Sequence, residues 1–166
     1  MNDSYAEAAV KRKDTMLTMV LRVFLVFLVF ICFLLVTLQS GIFLVIGAIL
    51  IVGIIYVFPR LNIEYEYIYC DGQLDFDKIM GNSKRKTIKR IDFEQVEMMA
   101  PIGSLSLDGY SRVQAKVKDF TSNRKDVTPY VIIAKDGPTI TKYLFEPSAK
   151  MLELIKMKYS RKLSEQ

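Results

Sequence analysis

The sequence has no histidine, no tryptophan and only two cysteines. Without histidine there is no imidazole general base, no Ser-His-Asp triad and no histidine metal ligand. Cys32 lies in an apolar run and Cys70 in a polar stretch, so they make no disulfide framework. Two thiols alone do not hold zinc. Both read as free thiols packed as small apolar groups. No Gly-rich phosphate motif of either common type occurs, so nucleotide binding has no sequence support. The last lack is local: Val23 to Phe58 contains no charged residue.

What is present is a chain of 166 residues, 51% hydrophobic and 25% charged, which excludes disorder. If Val23–Phe58 enters a bilayer, about 105 residues remain for a soluble part, enough for one small core. The net charge of +5 is modest. It suits a domain beside an anionic membrane face and lacks the concentrated basic motif of a nucleic-acid binder.

One helix over Val23–Phe58 would be about 54 Å long, far beyond a hydrocarbon core of about 30 Å. Two spans joined at Gln39-Ser40-Gly41 fit better. The first reaches back to Met16, because Met16–Leu21 is also apolar, and the second runs from Gly41 to Phe58. Arg22 then snorkels to the headgroups, with Tyr56 and Arg60 as anchors at the far end. Lys11, Arg12, Lys13 and Arg60 flank the pair while the turn carries no basic residue. The positive-inside rule therefore puts both termini in the cytoplasm of a multi-pass plasma-membrane protein. A signal peptide would need small residues before cleavage, and Thr37-Leu38-Gln39-Ser40 fits poorly. A re-entrant hairpin would give the same end orientation. Gly41, Gly47 and Gly53 are six apart and form no GxxxG face.

From Asn62 the period changes to two. Ile63, Tyr65, Tyr67 and Tyr69 alternate with Glu64 and Glu66, predicting a strand with the tyrosines in the core. Asp71-Gly72 signals a hairpin turn, Leu74 and Phe76 mark the return strand, and Gly81-Asn82-Ser83 the next turn. Lys84–Glu97 reads as a bent third strand and a short fourth. Val113–Phe120 alternates as a strand. Tyr130–Ala134 is apolar on both faces, and the chain turns at Asp136-Gly137-Pro138 into Thr139–Phe145. Glu146-Pro147-Ser148 opens a helix with Met151, Leu152, Ile155 and Tyr159 as its stripe. The expected class is α+β. A cytoplasmic segment (1–15) and a transmembrane hairpin (16–58) precede a domain (60–166) of about seven mostly antiparallel strands in a bent sheet or barrel. The terminal helix plugs that sheet.

The segments Tyr67-Ile68-Tyr69-Cys70-Asp71-Gly72-Gln73-Leu74, Arg85-Lys86-Thr87-Ile88 and Ile91-Asp92-Phe93-Glu94-Gln95-Val96 resemble the membrane-anchored pleckstrin-homology-like (PH-like) proteins of bacteria. The likeness covers Leu61–Leu163 in layout. Met1–Glu7 and Asp119–Ser122 are also similar to a small clostridial family of two-span proteins with no assigned activity. The resemblance implies a location and a fold. PH-like folds host lipid binding, peptide binding and scaffolding alike.

Lys84, Arg85, Lys86, Lys89 and Arg90 form a basic cluster at a strand turn, the expected contact for anionic lipid headgroups or phosphate. The long loops around Pro101, Ser104, Asp108, Tyr110 and Arg112, and around Asn123, Arg124 and Lys125, form a second expected recognition surface. Asp71, Asp75 and Asp77 read as turn and solvent-face carboxylates, since the calcium-loop order is absent. Ser83 and Ser122 each precede a lysine by three, without companion motifs. No catalytic residue, metal ligand or cofactor is expected. The function expected is a membrane-anchored, non-enzymatic binding or scaffolding module. It engages the bilayer, anionic headgroups, a protein partner or another copy of itself, and no nucleic acid. The alternative is an accessory subunit of a membrane transport or envelope complex that works through its hairpin.

Overall fold

Residues 1–15 carry no element in the sequence reading, yet seven of them form a strand, β1 (Tyr5–Lys11). The computed structural model describes residues 4–38, 41–81, 84–137 and 139–164. Gln39, Ser40, Asn82, Ser83 and Pro138, expected in turns, lie outside them. After β1 come α1 (Met16–Leu38), α2 (Ile42–Leu61), β2 (Ile63–Cys70), β3 (Gln73–Met80), β4 (Lys84–Asp92), β5 (Val96–Pro101), β6 (Lys116–Asp119), β7 (Tyr130–Asp136), β8 (Thr139–Phe145) and α3 (Ala149–Tyr159). The chain divides into two compact units.

The first unit holds the strands and α3. Its strands form two four-stranded sheets, ordered β1-β2-β3-β4 and β5-β7-β8-β6, not one closed barrel. β1 pairs antiparallel with β2 from Tyr5↔Cys70 to Lys11↔Glu64 without a break. The apolar helices are thus inserted between two neighbouring strands of one sheet. β6 runs parallel to β8, an exception within the expected mostly antiparallel arrangement. It is also shorter than the alternation of Val113–Phe120 suggested.

The core is aromatic. Tyr65, Tyr67 and Tyr69 face inward from β2 as expected. Phe76 sits at the centre, 4.7 Å from Phe120, 5.7 Å from Tyr67 and Phe145, and 6.0 Å from Tyr143, ring to ring. The Tyr67 hydroxyl donates to the Phe120 carbonyl at 2.5 Å. Burial holds that phenol well above its ordinary pKa, so it remains a donor. Ser148 caps α3 by accepting from the Met151 amide, and Met151 and Ile155 are fully buried. Gly72 needs its positive φ of 96°, and a Cβ there would stand 2.4 Å from the Tyr159 hydroxyl.

The second unit comprises residues 13–63 and 80–84. α1 and α2 have 23 and 20 residues, about 35 and 30 Å long at about 1.5 Å per residue. Both are long and apolar enough to cross a membrane by length and composition. α2 continues past Phe58, since Pro59 falls in its last turn and Arg60 and Leu61 remain helical. Gly81, at a φ of 61°, donates its amide to the Asn62 carbonyl at 3.2 Å, and a Cβ on it would stand 2.5 Å from that of Pro59. Gly81 is thereby seated on the last turn of α2.

Candidate functional site

The five basic residues of β4 do not form one free cationic surface. Arg85 donates from Nε to Asp77 at 2.5 Å and lies 2.9 Å from Glu66 through NH2, bridging two carboxylates. Asp77 is 4% exposed, so it is no solvent-face carboxylate, and its Oδ1 has no hydrogen bond among the described residues. The hydrogen bond from Arg85 to Asp77 holds the guanidinium above its ordinary pKa. Arg90 grips Asp75 with both Nε and NH2 at 2.6 Å. Such paired contacts are the strong form of the arginine–carboxylate bond. Lys89 also has a partner. Lys84 and Lys86 are exposed and stand in no ion pair among the described residues. The expected cluster of five thus contains two arginines engaged in the fold. Asp71, Asp75 and Asp77 each take a different cation, Asp71 through Lys158 at 2.6 Å. No group of metal-ligating residues exists among the described residues.

The two expected recognition loops are more structured than their length implied. Pro101 ends β5, and Leu105–Tyr110 is a 3-10 helix capped by Ser104, which accepts from the Ser106 amide at 3.2 Å. Asp108 and Tyr110 lie in that turn, and Arg112 follows it. Lys142 donates to the Tyr110 carbonyl at 2.9 Å. Glu97 on β5 is ion-paired with Lys135 on β7 and also hydrogen-bonded by Tyr110, and these contacts hold its carboxyl below the ordinary range. The second loop is pinned at its base. Ser122 donates from its amide and hydroxyl to Glu146 at 2.8 and 2.7 Å. Asn123 has a φ of 58°, and Arg124 and Lys125 are exposed beyond it.

Sequence reasoning missed a groove of about 580 Å³ beside α3, lined by Ser4, Tyr69, Asp71, Leu154, Met157 and Lys158 among others. Met157 is 69% exposed there. The Tyr69 hydroxyl is buried without a hydrogen bond among the described residues. The signal was Leu154 and Met157, three apart on a second stripe of α3 beside the core stripe.

The expected anchors all lie in the helical unit. Arg22 is held by both oxygens of Asp14, at 2.7 and 3.1 Å, and by Asn62 Oδ1 at 2.8 Å. It clamps the start of α1 to the end of α2 rather than extending freely. The Arg60 guanidinium lies 3.8 Å over the Tyr56 ring and also donates to its hydroxyl. Cys32 is buried against Gly47, and Cys70 is an exposed free thiol.

Two strand layers with a C-terminal helix, split by two apolar helices, define a PH-like module. The family model described as a bacterial PH-like domain (DUF6106) matches residues 2–165, and the chain belongs to that family. The match begins before β1 and so includes the hairpin. No curated protein and no solved structure matches the chain.

Proposed function

We propose that the protein is a membrane-anchored, non-enzymatic binding or scaffolding module whose PH-like unit works at the cytoplasmic face of the plasma membrane. One observation carries this reading: the hairpin interrupts a single sheet, between β1 and β2. A chain that leaves one strand for two spans and returns to the adjoining strand must enter and leave on the same side. Lys11, Arg12, Lys13 and Arg60 at that boundary favour the cytoplasmic side. Only residues 12–15 join β1 to α1, and only Asn62 joins α2 to β2, so neither link has the length of a flexible linker.

Lipid contact in this reading falls to Lys84 and Lys86, exposed at the start of β4. Each charge near anionic headgroups contributes about 1 kcal/mol. Protein partners have the groove beside α3 and the exposed Asn123–Lys125 segment. A second reading, the accessory subunit, draws on an apolar groove of about 470 Å³ on α1 lined by Arg22, Val23, Val26, Phe27 and Phe30, which suits another helix.

The test uses the exposed thiol of Cys70. In a Cys32→Ser chain, a membrane-impermeant maleimide should label Cys70 in inside-out vesicles and not in intact cells. Labelling in intact cells would put the PH-like unit on the other side and end the reading.

A further inference from the structure

Two four-stranded sheets leave four edges: β1 and β4 in the first, β5 and β6 in the second. An open edge is a template for another strand, and folded proteins block it with charge, cover, bulges or shortness. Three of these edges are blocked. β4 carries Lys84, Arg85, Lys86, Lys89 and Arg90 in nine residues. β5 is covered by its own chain: the Met99 amide donates to the Lys162 carbonyl at 2.7 Å and the Ser164 amide to the Met99 carbonyl at 2.8 Å. A register shift between Val96 and Met98 bends it further. β6 has four residues, two of them lysine.

β1 lacks shortness, a bulge and a run of charge; α3 touches it, but no strand or chain segment is hydrogen-bonded along its outer edge among the described residues. It is seven residues long, in unbroken register with β2, with no proline and a single lysine at its end. Ala6, Ala8 and Val10 are its more buried residues, while Tyr5, Glu7, Ala9 and Lys11 are exposed. Among the described residues it pairs on one side only.

We propose that the free edge of β1 pairs antiparallel with β1 of a second copy, in the register centred on Ala8. All seven residues then find partners: Tyr5 opposite Lys11, Ala6 opposite Val10, Glu7 opposite Ala9, and Ala8 opposite itself. On the exposed face Glu7 lies diagonal to both Lys11 and Glu7 of the second copy; the two-fold axis makes the attractive contact twice and the repulsive one once, so attraction exceeds repulsion. A parallel pairing would set Glu7 against Glu7 and Lys11 against Lys11, which is unfavourable. A register centred on Ala9 also joins Glu7 to Lys11 but leaves Tyr5 and Ala6 unpaired. The inference deepens the binding-module reading and rests on it only in supplying its partner. The product is one sheet running through two copies.

The test is oxidative cross-linking of the full chain in proteoliposomes, with Cys32→Ser and Cys70→Ser removing the native thiols. Ala8→Cys should give a disulfide-linked dimer, while Ala9→Cys and Ile88→Cys on the β4 edge should not. Added to Ala8→Cys, Glu7→Lys should weaken dimerisation about tenfold, since two favourable contacts become repulsive. Lys11→Glu should do the same. Mixing the E7K and K11E chains should restore the dimer, because each lysine then meets a glutamate, and restoration also shows that both variants fold. Cross-linking at Ala9→Cys or Ile88→Cys as fast as at Ala8→Cys, a monomer throughout, or no rescue on mixing would overturn the proposal. The sidedness of Cys70, read on the chain that retains it, tests the membrane reading separately, so either can fail alone.

Discussion

Arg12 donates to the Tyr65 hydroxyl at 3.0 Å, although the two are 53 positions apart in sequence. Both apolar helices lie between them. The guanidinium also lies 6.0 Å over the Tyr65 ring and 3.9 Å from Asp119. Arg12 therefore ties the exit of β1 to β2 and to the end of β6, within the strand unit. The PH-like fold here is completed by residues that precede the two apolar helices.

Residues 64–164 alone lack the strand that covers β2. Joining Lys11 to Glu64 through Asn-Gly should repair this, because the two are register partners and a two-residue turn closes an antiparallel pair. The spliced protein should be soluble and unfold in one cooperative transition. The 64–164 fragment should unfold at a markedly lower temperature or aggregate. Equal thermal transitions for the two would show that β1 contributes nothing.

The basic residues of β4 should separate into two groups. Arg85→Met leaves Asp77 buried without its cation and should destabilise the spliced protein by about 1–3 kcal/mol in urea. Lys84→Glu and Lys86→Glu should change stability by less than about 0.5 kcal/mol, as ordinary surface substitutions do. Those two should instead reduce binding to anionic vesicles. Loss of vesicle binding only in Arg85→Met would reverse these roles.

Gly81→Ala should disturb the turn seated on α2. The left-handed φ of 61° costs a non-glycine residue about 1–2 kcal/mol, and the new methyl meets Pro59 at 2.5 Å. The full chain in detergent should show a lower thermal midpoint, while Gly109→Ala, with nothing within 4 Å, should not. Equal midpoints would mean the turn is not seated there.

Glu97 gives the fold an acid-sensitive contact. Its carboxyl pKa is held below the ordinary 4.5, first by the Lys135 hydrogen bond. The folded state therefore binds this proton less readily than the unfolded chain. The stabilisation is fully present above about pH 4.5 and is lost as pH falls through the lower folded value. Glu97→Gln should flatten the fall in urea midpoint between about pH 5 and pH 3. A variant that keeps the parent's slope would assign the acid sensitivity to other carboxylates.

The elements with strong periodicity were legible. The uncharged run together with the apolar Met16–Leu21 dictated α1, and the tyrosine alternation with Asp71-Gly72 dictated β2 and its turn into β3. The stripe of Met151 and Ile155 dictated α3. β1 was not legible because three of its seven residues are alanine, a good helix former, and its partner lies beyond the hairpin. The parallel pairing of β6 with β8 rests on a long-range contact that no local pattern encodes. Of the candidate site, the basic residue types were legible. Their neutralisation was not, because Arg85 finds Glu66 and Asp77 on two other strands.

The central claim is that β1 completes the PH-like sheet across the inserted hairpin, and its register offers a direct measurement. Tyr5 stands opposite Cys70, which is free and exposed. In the full-length Cys32→Ser chain, Tyr5→Cys should form an intrachain disulfide with Cys70 on mild oxidation, identified by mass spectrometry of the digested protein. Ala6→Cys, which faces inward opposite Tyr69, should not. If Cys70 stays free in the Tyr5→Cys chain, or bridges equally well from Ala6→Cys, then β1 does not hold this register and the hairpin is not inserted in the sheet.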